Sequence, residues 1–357
     1  MSYSAMHTIR KFLRAIIYLI IALWLIFFGI IIYGYISDYR PAEKVVIEEN
    51  GSAAVLEDSA AISLLTWNIG YCGLGDDMDF FYDGGTQVRT SRESFKRNFS
   101  AITDFLRSND SIDFVFLQEV DRKSRRSYRK DEYAGIGDIL KSPSSQFAVN
   151  YDVFFVPVPA TSPMGKVLSG ISVLGKKPPR SSVRYSFPGE YGFPKQLFML
   201  DRCFLVNRYP MKNGKELVLI NTHNEAFDPG EIRRAQMEYL KTFLLEEYGK
   251  GNYIIAGGDW NQAPPDFKPD FAGDVVNTNQ MVMNSDYLPS DWRWTYDNNT
   301  PSNRTVTAPY KPDVTATTVI DFFLLSPNVK SVSVKCINLH FRNSDHNPVI
   351  LSARLND

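Results

Sequence analysis

The sequence predicts an α/β protein, a sandwich of largely antiparallel sheets faced by helices, set behind an N-terminal transmembrane helix. Three observations predict it. An uncharged apolar run occupies residues 15–36. Beyond it, short strand-like runs outnumber amphipathic helical patterns. Hairpin signals then mix with stretches long enough to cross over between parallel strands. The chain of 357 residues is 44% hydrophobic and 13% aromatic, which excludes disorder and allows a large core.

The N-terminal run comes first. At about 1.5 Å per residue, Ala15 to Ile36 makes roughly 33 Å of helix, enough to cross a bilayer. A cleavable signal peptide has an apolar region of only about 7–15 residues and a small-x-small cleavage site. Tyr33-Gly34-Tyr35-Ile36-Ser37-Asp38 offers no such site, so an uncleaved signal anchor is expected. Arg10, Lys11 and Arg14 precede the run, whereas Asp38, Glu43, Glu48 and Glu49 follow it. The positive-inside rule therefore leaves residues 1–14 as a short basic cytoplasmic tail and exports everything after Tyr39. Gly29 and Gly34 are five apart, which is not the four-residue spacing of a close-packing helix pair.

Residues 37–60 are polar, acidic and rich in small side chains, and read as a linker. Strand-like runs follow at Ile62–Trp67, Phe114–Leu117, Tyr151–Val158, Gly170–Leu174, Phe204–Val206, Leu217–Asn221, Tyr253–Ala256, Val319–Leu325, Val332–Ile337 and Val349–Ala353. Asn213-Gly214 marks a tight hairpin between two of them. Ser91–Leu106 puts Phe95, Phe99, Ile102 and Leu106 on one helical face, and Glu231–Tyr248 does so with Ile232, Tyr239, Phe243 and Leu244. No repeat or low-complexity block interrupts residues 61–357, which read as one domain.

The chain carries 39 basic and 40 acidic residues, and beyond residue 40 the balance is 35 to 39, a net charge of −4. A dedicated nucleic-acid binder normally shows a basic excess, so nucleic acid is not favoured by charge. Cys72, Cys203 and Cys336 are odd in number and widely spaced, which signals neither a disulfide framework nor a zinc site. Cys203 and Cys336 lie in apolar runs and read as small buried fillers.

Function is written at the strand ends. LLTWNIG carries Asn68, FVFLQEVD carries Glu119, LVLINTHNE carries His223, and YIIAGGDWN carries Asp259 and Asn261. TVIDFFLLS then supplies Asp321, and SDHNPV supplies Asp345 and His346. Apolar strands ending in carboxylates, amides and imidazoles present these groups at a common rim. Oxygen donors suit a hard cation, Mg²⁺ or Mn²⁺, able to polarise a phosphoryl oxygen. Any one of these residues has an ordinary structural explanation: Asn68 a turn amide, Asp259 an Asx turn, His223 a surface histidine. Glu119 is harder to explain so, because a glutamate closing a buried strand needs a cation or partner.

These blocks, in this order, resemble the endonuclease/exonuclease/phosphatase superfamily, whose fold is that of DNase I, and the resemblance spans Leu64 to Leu351. It implies a four-layer α/β sandwich, two packed mixed and largely antiparallel sheets flanked by helices, with residues 61–357 as the catalytic domain. Block by block, it implies that Asn68, Glu119 and Asp345 form the metal site, with Glu119 the direct ligand. It implies that Asp259 orients or deprotonates the attacking water and that Asn261 helps hold substrate and metal. His346, oriented by Asp321, and His223 are implied as the phosphate-contacting imidazoles; either Asp259 or His346 serves as base.

The His223 block separates the branches. Abasic-site endonucleases have an asparagine-centred loop there, whereas DNase-I-like enzymes, sphingomyelinases and phosphatases carry histidine. GKVLSGISVLGKKP departs from the usual strand pattern at Lys176-Lys177, away from the implied site. The basic stretch Arg122, Lys123, Arg125, Arg126 and Arg129 either grips further phosphates, with Arg125 and Arg126 the candidates, or is a solvated loop. Arg304, in PSNR, resembles a loop bordering the cleft and is a third substrate candidate. The expected activity is divalent-metal-dependent phosphoester hydrolysis at a membrane, phosphodiesters favoured, the diester belonging to a lipid head group or a nucleic acid. An exported nuclease and an inactive membrane-displayed binding module are the alternatives. The expected partners are the phosphoester substrate and the membrane; no protein partner is indicated.

Overall fold

The apolar N-terminal run forms one helix, α1, Tyr3–Ser37, whose span Met6–Ser37 has a mean hydropathy of 3.0 and is long enough to cross a membrane. The structure, a computed structural model, describes residues 3–51, 53, 55–58, 61–228, 230–268, 271 and 281–356. Among the described residues the last turns of α1 touch the rest of the protein: Gly34 is buried, and the Tyr33 ring sits edge-on to Phe154 at 4.5 Å.

The stretch expected to be a linker is in part a strand. Lys44–Glu49 forms β1 at the edge of a sheet, antiparallel to β6, Ser181–Ser186. Alternating β-branched Val45, Val46 and Ile47 favour extended backbone, and pairing satisfies their amides, which the acidic composition concealed. Residues 52, 54, 59 and 60 of that stretch lie outside the described residues.

Two sheets form the body. The strands are β2 (Ala61–Asn68), β3 (Phe114–Asp121), β4 (Ser144–Val156), β5 (Gly165–Gly175), β7 (Cys203–Pro210), β8 (Glu216–His223) and β9 (Tyr253–Asp259). After them come β10 (Arg293–Thr295), β11 (Asn303–Arg304), β12 (Thr317–Thr318), β13 (Asp321–Leu325), β14 (Val329–Cys336) and β15 (Val349–Leu355). One sheet runs β1-β6-β7-β8-β9-β13-β10 and the other β14-β15-β2-β3-β5-β4, with β11 and β12 paired apart. All pairings within the two large sheets are antiparallel except β2/β3 and β8/β9, so each is mixed but largely antiparallel. The Asn213-Gly214 hairpin closes β7 on β8, with Gly214 at φ 79°.

Burial follows the pleat. Leu64, Phe116, Ile171, Leu205, Leu219, Ile255, Phe323 and Leu351 form the core between the sheets. Helix α2 (Arg92–Ser108), with α3 (Glu132–Leu140), covers one outer face through Phe95, Ile102, Leu106 and Ile136. Ser91 caps α2 by accepting from the Ser94 amide at 3.0 Å. Helix α4 (Glu231–Gly249) covers the other. Its buried stripe is Met237, Leu240 and Leu244, while Ile232, Tyr239 and Phe243, expected as that face, are half-buried flanks. The result is the four-layer α/β sandwich expected from the sequence. All three cysteines are buried and free.

Candidate active site

The site starts from register. In the parallel pair β8/β9, His223 lies opposite Asp259, and in the antiparallel pair β9/β13, Asp321 lies opposite the same Asp259. Cross-strand partners project to one face, so an imidazole and two carboxylates meet at adjacent strand ends without any loop to place them. Glycine makes that approach possible. Gly258 has φ 147°, and a Cβ there would fall 2.0 Å from the Thr222 carbonyl oxygen.

Glu119 arrives by a different device. A bulge between Leu117 and Val120 breaks the β3/β5 register, and Glu119 sits in the left-handed region at φ 54°. That is a costly conformation for glutamate, and it takes the side chain out of the pleat's alternation. Its neighbour Gln118 stays in the inter-sheet core, donating to Asn221 Oδ1 at 2.7 Å and Thr66 Oγ1 at 3.1 Å. Glu119 keeps about a quarter of its side chain in solvent.

The SDHN segment is pinned from several sides. The Ser344 hydroxyl donates to the Asn68 carbonyl at 2.8 Å, and the Trp67 indole donates to the His346 carbonyl at 2.9 Å. Asn347 donates to the Pro301 carbonyl and accepts from the Leu339 amide. Inside that frame His346 Nδ1 lies 2.7 Å from Asp321 Oδ2, and Nε2 points to Asp259 Oδ2 at 3.8 Å and Asp345 Oδ2 at 3.9 Å. His223 Nε2 approaches Asp259 Oδ2 at 3.6 Å and Glu119 Oε1 at 4.0 Å. One carboxylate oxygen, Asp259 Oδ2, thus faces two imidazoles.

Asn68 differs from its expected place. Its Oδ1 accepts from the Gly70 amide at 3.0 Å, while Nδ2 donates to Asp259 Oδ2 at 2.9 Å and Glu119 Oε1 at 3.2 Å. Asn68 thus ties two carboxylates together through Nδ2, while one lone pair of its oxygen is used by Gly70. Asp259 Oδ1 accepts from the Asn261 amide at 2.9 Å, so the Asx turn also exists, at the same residue. Asn261 holds φ 50° and donates through Nδ2 to the Asn224 carbonyl.

Two of the three candidate substrate arginines lie inside the protein. Arg126 is buried in an ion pair with Asp121 at 3.0 Å, over the Tyr71 ring. Arg304 is only 1% exposed and donates to the carbonyls of Gly75 at 2.6 Å and Thr305 at 3.0 Å. Their guanidinium groups are committed to structure, because a buried charge is tolerated only when paired. Arg125 is exposed on the loop after β3.

Burial and charge set the two imidazoles apart. For His346, burial favours the neutral ring, but Asp321, Asp345 and Asp259 outweigh it and hold its pKa well above the usual value. His223 goes the other way: burial, then Arg202 and His346, push it well below. Burial pushes the Asp321 carboxyl up to about 6 against the pull of His346. Asp345 rises to about 7 through burial, against the pull of His346 and with a further push from the neighbouring Glu119.

The donor set fits a divalent cation. Asp259, Asp321 and His346 offer ligand atoms within 4.8 Å of one another, but the His346–Asp321 hydrogen bond already uses two of them. Glu119 and Asp345 are the better pair. Glu119 raises the Asp345 carboxyl, which marks the two as neighbours, and oxygen donors suit Mg²⁺ or Mn²⁺.

Two neighbours were missed in the sequence. The Ser302 hydroxyl donates to Asp321 Oδ2 at 2.7 Å and accepts from the Asp321 amide, and the Asn303 amide group lies 3.0 Å from His346 Nε2. Both precede Arg304 in PSNR. Short polar residues in an extended segment carry no periodic signal, so only the proximity of that motif to the cleft pointed to them.

Comparison with known proteins bears on the family and the fold. Residues 65–346 match the model of the Endonuclease/Exonuclease/phosphatase family. No curated protein matches the chain in sequence. Among solved structures, an endonuclease/exonuclease/phosphatase from Beutenbergia cavernae DSM 12333 is 18% identical with a TM-score of 0.56, covering 83% of this chain and 72% of that one. ANGEL2, described as a 2',3'-cyclic phosphatase and solved with adenosine-2',3'-vanadate, is 15% identical with a TM-score of 0.55, covering 88% and 100%. A counterpart from Bacteroides vulgatus is 16% identical with a TM-score of 0.52, covering 83% and 100%. At these identities the likeness speaks to the fold.

Proposed function

This chain belongs to the endonuclease/exonuclease/phosphatase family, a family of phosphoester hydrolases. From that premise we propose that it is a membrane-anchored, divalent-metal-dependent hydrolase whose preferred substrates are phosphodiesters. The convergence of His223 and His346 on Asp259 Oδ2 carries the reading. Asp259, acceptor-only and held by Asn68, orients an attacking water and takes its proton. His346, held protonated by Asp321, donates from Nε2 to a phosphoryl oxygen, and neutral His223 donates from its own Nε2. Asp259 rather than His346 is therefore the base in this reading. Mg²⁺ or Mn²⁺ held by Glu119 and Asp345 would polarise a phosphoryl oxygen and offset its developing charge.

Helix α1 supports the anchor, and the Arg10, Lys11 and Arg14 tail supports a cytoplasmic N-terminus with the catalytic domain on the other side. The test is hydrolysis of bis(p-nitrophenyl) phosphate by the purified full chain with Mg²⁺ or Mn²⁺, and with EDTA. Turnover that EDTA abolishes is the expected result. A folded protein that cleaves no generic diester or monoester would mark a binding module instead.

A further inference from the structure

Strand polarity puts the anchor and the active site at the same end of the sandwich. β3 and β8 run towards the site, ending at Glu119 and His223. β5 is antiparallel to β3 and β4 antiparallel to β5, so β4 also finishes at that end, with Phe154 near its terminus. By the same alternation β6 finishes there, and β1 starts there, at Lys44. Helix α1 enters the domain at this point. Only residues 38–43 separate it from β1, a reach of about 20 Å at most.

That connector is held down. Ser186 donates through its amide to the Glu43 carbonyl and through its hydroxyl to the Ala42 carbonyl, and Tyr239 donates to the Glu43 carboxylate. Gly34 packs against the domain: a Cβ there would make ordinary contact with Phe154 at 3.4 Å and Leu197 at 3.6 Å, whereas a larger side chain would push the helix away. Helix residues before position 30 make no burying contact, so α1 projects beyond the domain rather than along its side.

Several exposed apolar side chains lie at the same end, while Val46, Val55, Ile139 and Val332 are exposed elsewhere. Among described residues after α1, the only exposed phenylalanines are Phe193, in the β6–β7 loop, and Phe227, just past His223. Val158, Met281 and Val282 are exposed on other loops of that end. Between the α1 terminus and the site lies a cavity of about 360 Å³, lined by Tyr35, Tyr39, Tyr191, Arg202 and Glu225 among others. The Arg202 side chain is 3% exposed, yet its Nε and Nη1 atoms have no hydrogen-bond partner, with Glu225 at 3.7 Å. A buried guanidinium held only by this long ion pair, with donors to spare at the cavity, suits a phosphate.

We propose that the catalytic cleft opens towards the bilayer carrying α1, and that the substrate is a phospholipid of that same bilayer, its head-group phosphate presented at the rim between Phe193 and Phe227. This rests on the anchored hydrolase read above. The water oxygen bonds to phosphorus, one ester P–O bond breaks, the leaving oxygen takes a proton, and a phosphomonoester is released. A docked helix fixes the orientation, and exposed aromatics at the rim favour the interface.

The full chain is reconstituted into vesicles of phosphatidylcholine, phosphatidylethanolamine, phosphatidylinositol phosphates or sphingomyelin, with bis(p-nitrophenyl) phosphate as soluble control. Lipid in the enzyme's own vesicles should be cleaved and lipid in separate vesicles spared. Phe193→Asp, Phe227→Asp and Gly34→Leu should each lower lipid turnover about tenfold or more while leaving the soluble diester unchanged. Loss of both activities in one variant is read as misfolding, and the other two then decide. Soluble diester cleaved with every lipid intact, plasmid nicked in preference to lipid, or equal cleavage in separate vesicles would overturn the inference and leave the hydrolase reading standing. If neither diester nor lipid is cleaved, the hydrolase reading itself fails.

Discussion

His346 Nδ1 lies 2.7 Å from Asp321 Oδ2, and the ring's other nitrogen faces Asp259 Oδ2 at 3.8 Å. A carboxylate behind the ring holds it charged and fixes which nitrogen points into the cleft. Asp321→Asn keeps the shape and removes that charge. We expect kcat to fall by about two to four orders of magnitude, with circular dichroism unchanged. The alkaline limb of the rate profile should move to lower pH, because His346 then loses its proton sooner. A profile that keeps its limb in place would show that His346 does not act protonated.

Stability should report the same pair with a definite sign. The folded pKa of His346 is raised above its unfolded value, so its contribution is complete below about pH 6.5 and is lost as pH rises through the folded value. Asp321 itself carries a proton below about pH 6, so the stability deficit of Asp321→Asn should be largest just above that and shrink as pH rises through the folded pKa of His346. Urea titrations at several pH values measure it.

The Glu119 charge raises the Asp345 carboxyl, and a cation held between them should offset that. Mg²⁺ or Mn²⁺ is expected to raise the Tm of the parent and not of Glu119→Gln, which should fold yet lose activity by several orders of magnitude. A thermal-shift series with and without EDTA separates these outcomes. An equal metal-induced rise in both proteins would place the cation elsewhere.

Asp201 lines the cavity beside the α1 terminus, with its carboxyl pushed up to about 7 by burial, against the pull of Arg184. A raised carboxylate pKa means stability that is present in acid and lost between about pH 4 and pH 7. Asp201→Asn should accordingly raise Tm at pH 8 and leave it nearly unchanged at pH 4. Equal Tm shifts at both pH values would contradict the assignment.

Ser302 donates to Asp321 and accepts from the amides of Ile320 and Asp321. Ser302→Ala strands these buried groups and should cost about 1–3 kcal/mol, with a loss of kcat larger than any change in KM. Gly258→Ala is the harsher test. Its Cβ would overlap the Thr222 carbonyl, so soluble folded protein should be largely lost.

Most strands were legible because alternating or continuous apolar runs report burial directly, as at Ile62–Trp67 and Leu217–Asn221. The site was legible for a related reason. Polar residues closing such runs, like Glu119 and Asp259, have no other cheap explanation when six of them recur in one order. β1 and β6 were missed because half-exposed edge strands have weak periodicity. Ser302 and Asn303 were missed because their roles come only from contacts with residues nineteen to forty-three positions away.

The sequence by itself determined the four-layer sandwich, the family, the apolar helix and the residues gathered at the strand ends. These follow from local pattern and the identity of short motifs. The tertiary structure decided what each group can do there. It turned Asn68's oxygen to Gly70, sealed Arg126 and Arg304 inside, and moved the pKa values of His223 and His346 in opposite directions. It also placed α1 at the catalytic end, which rests on strand direction across two sheets. Hydrogen-bond partners, burial and direction depend on residues far apart in the chain, and no local pattern carries them.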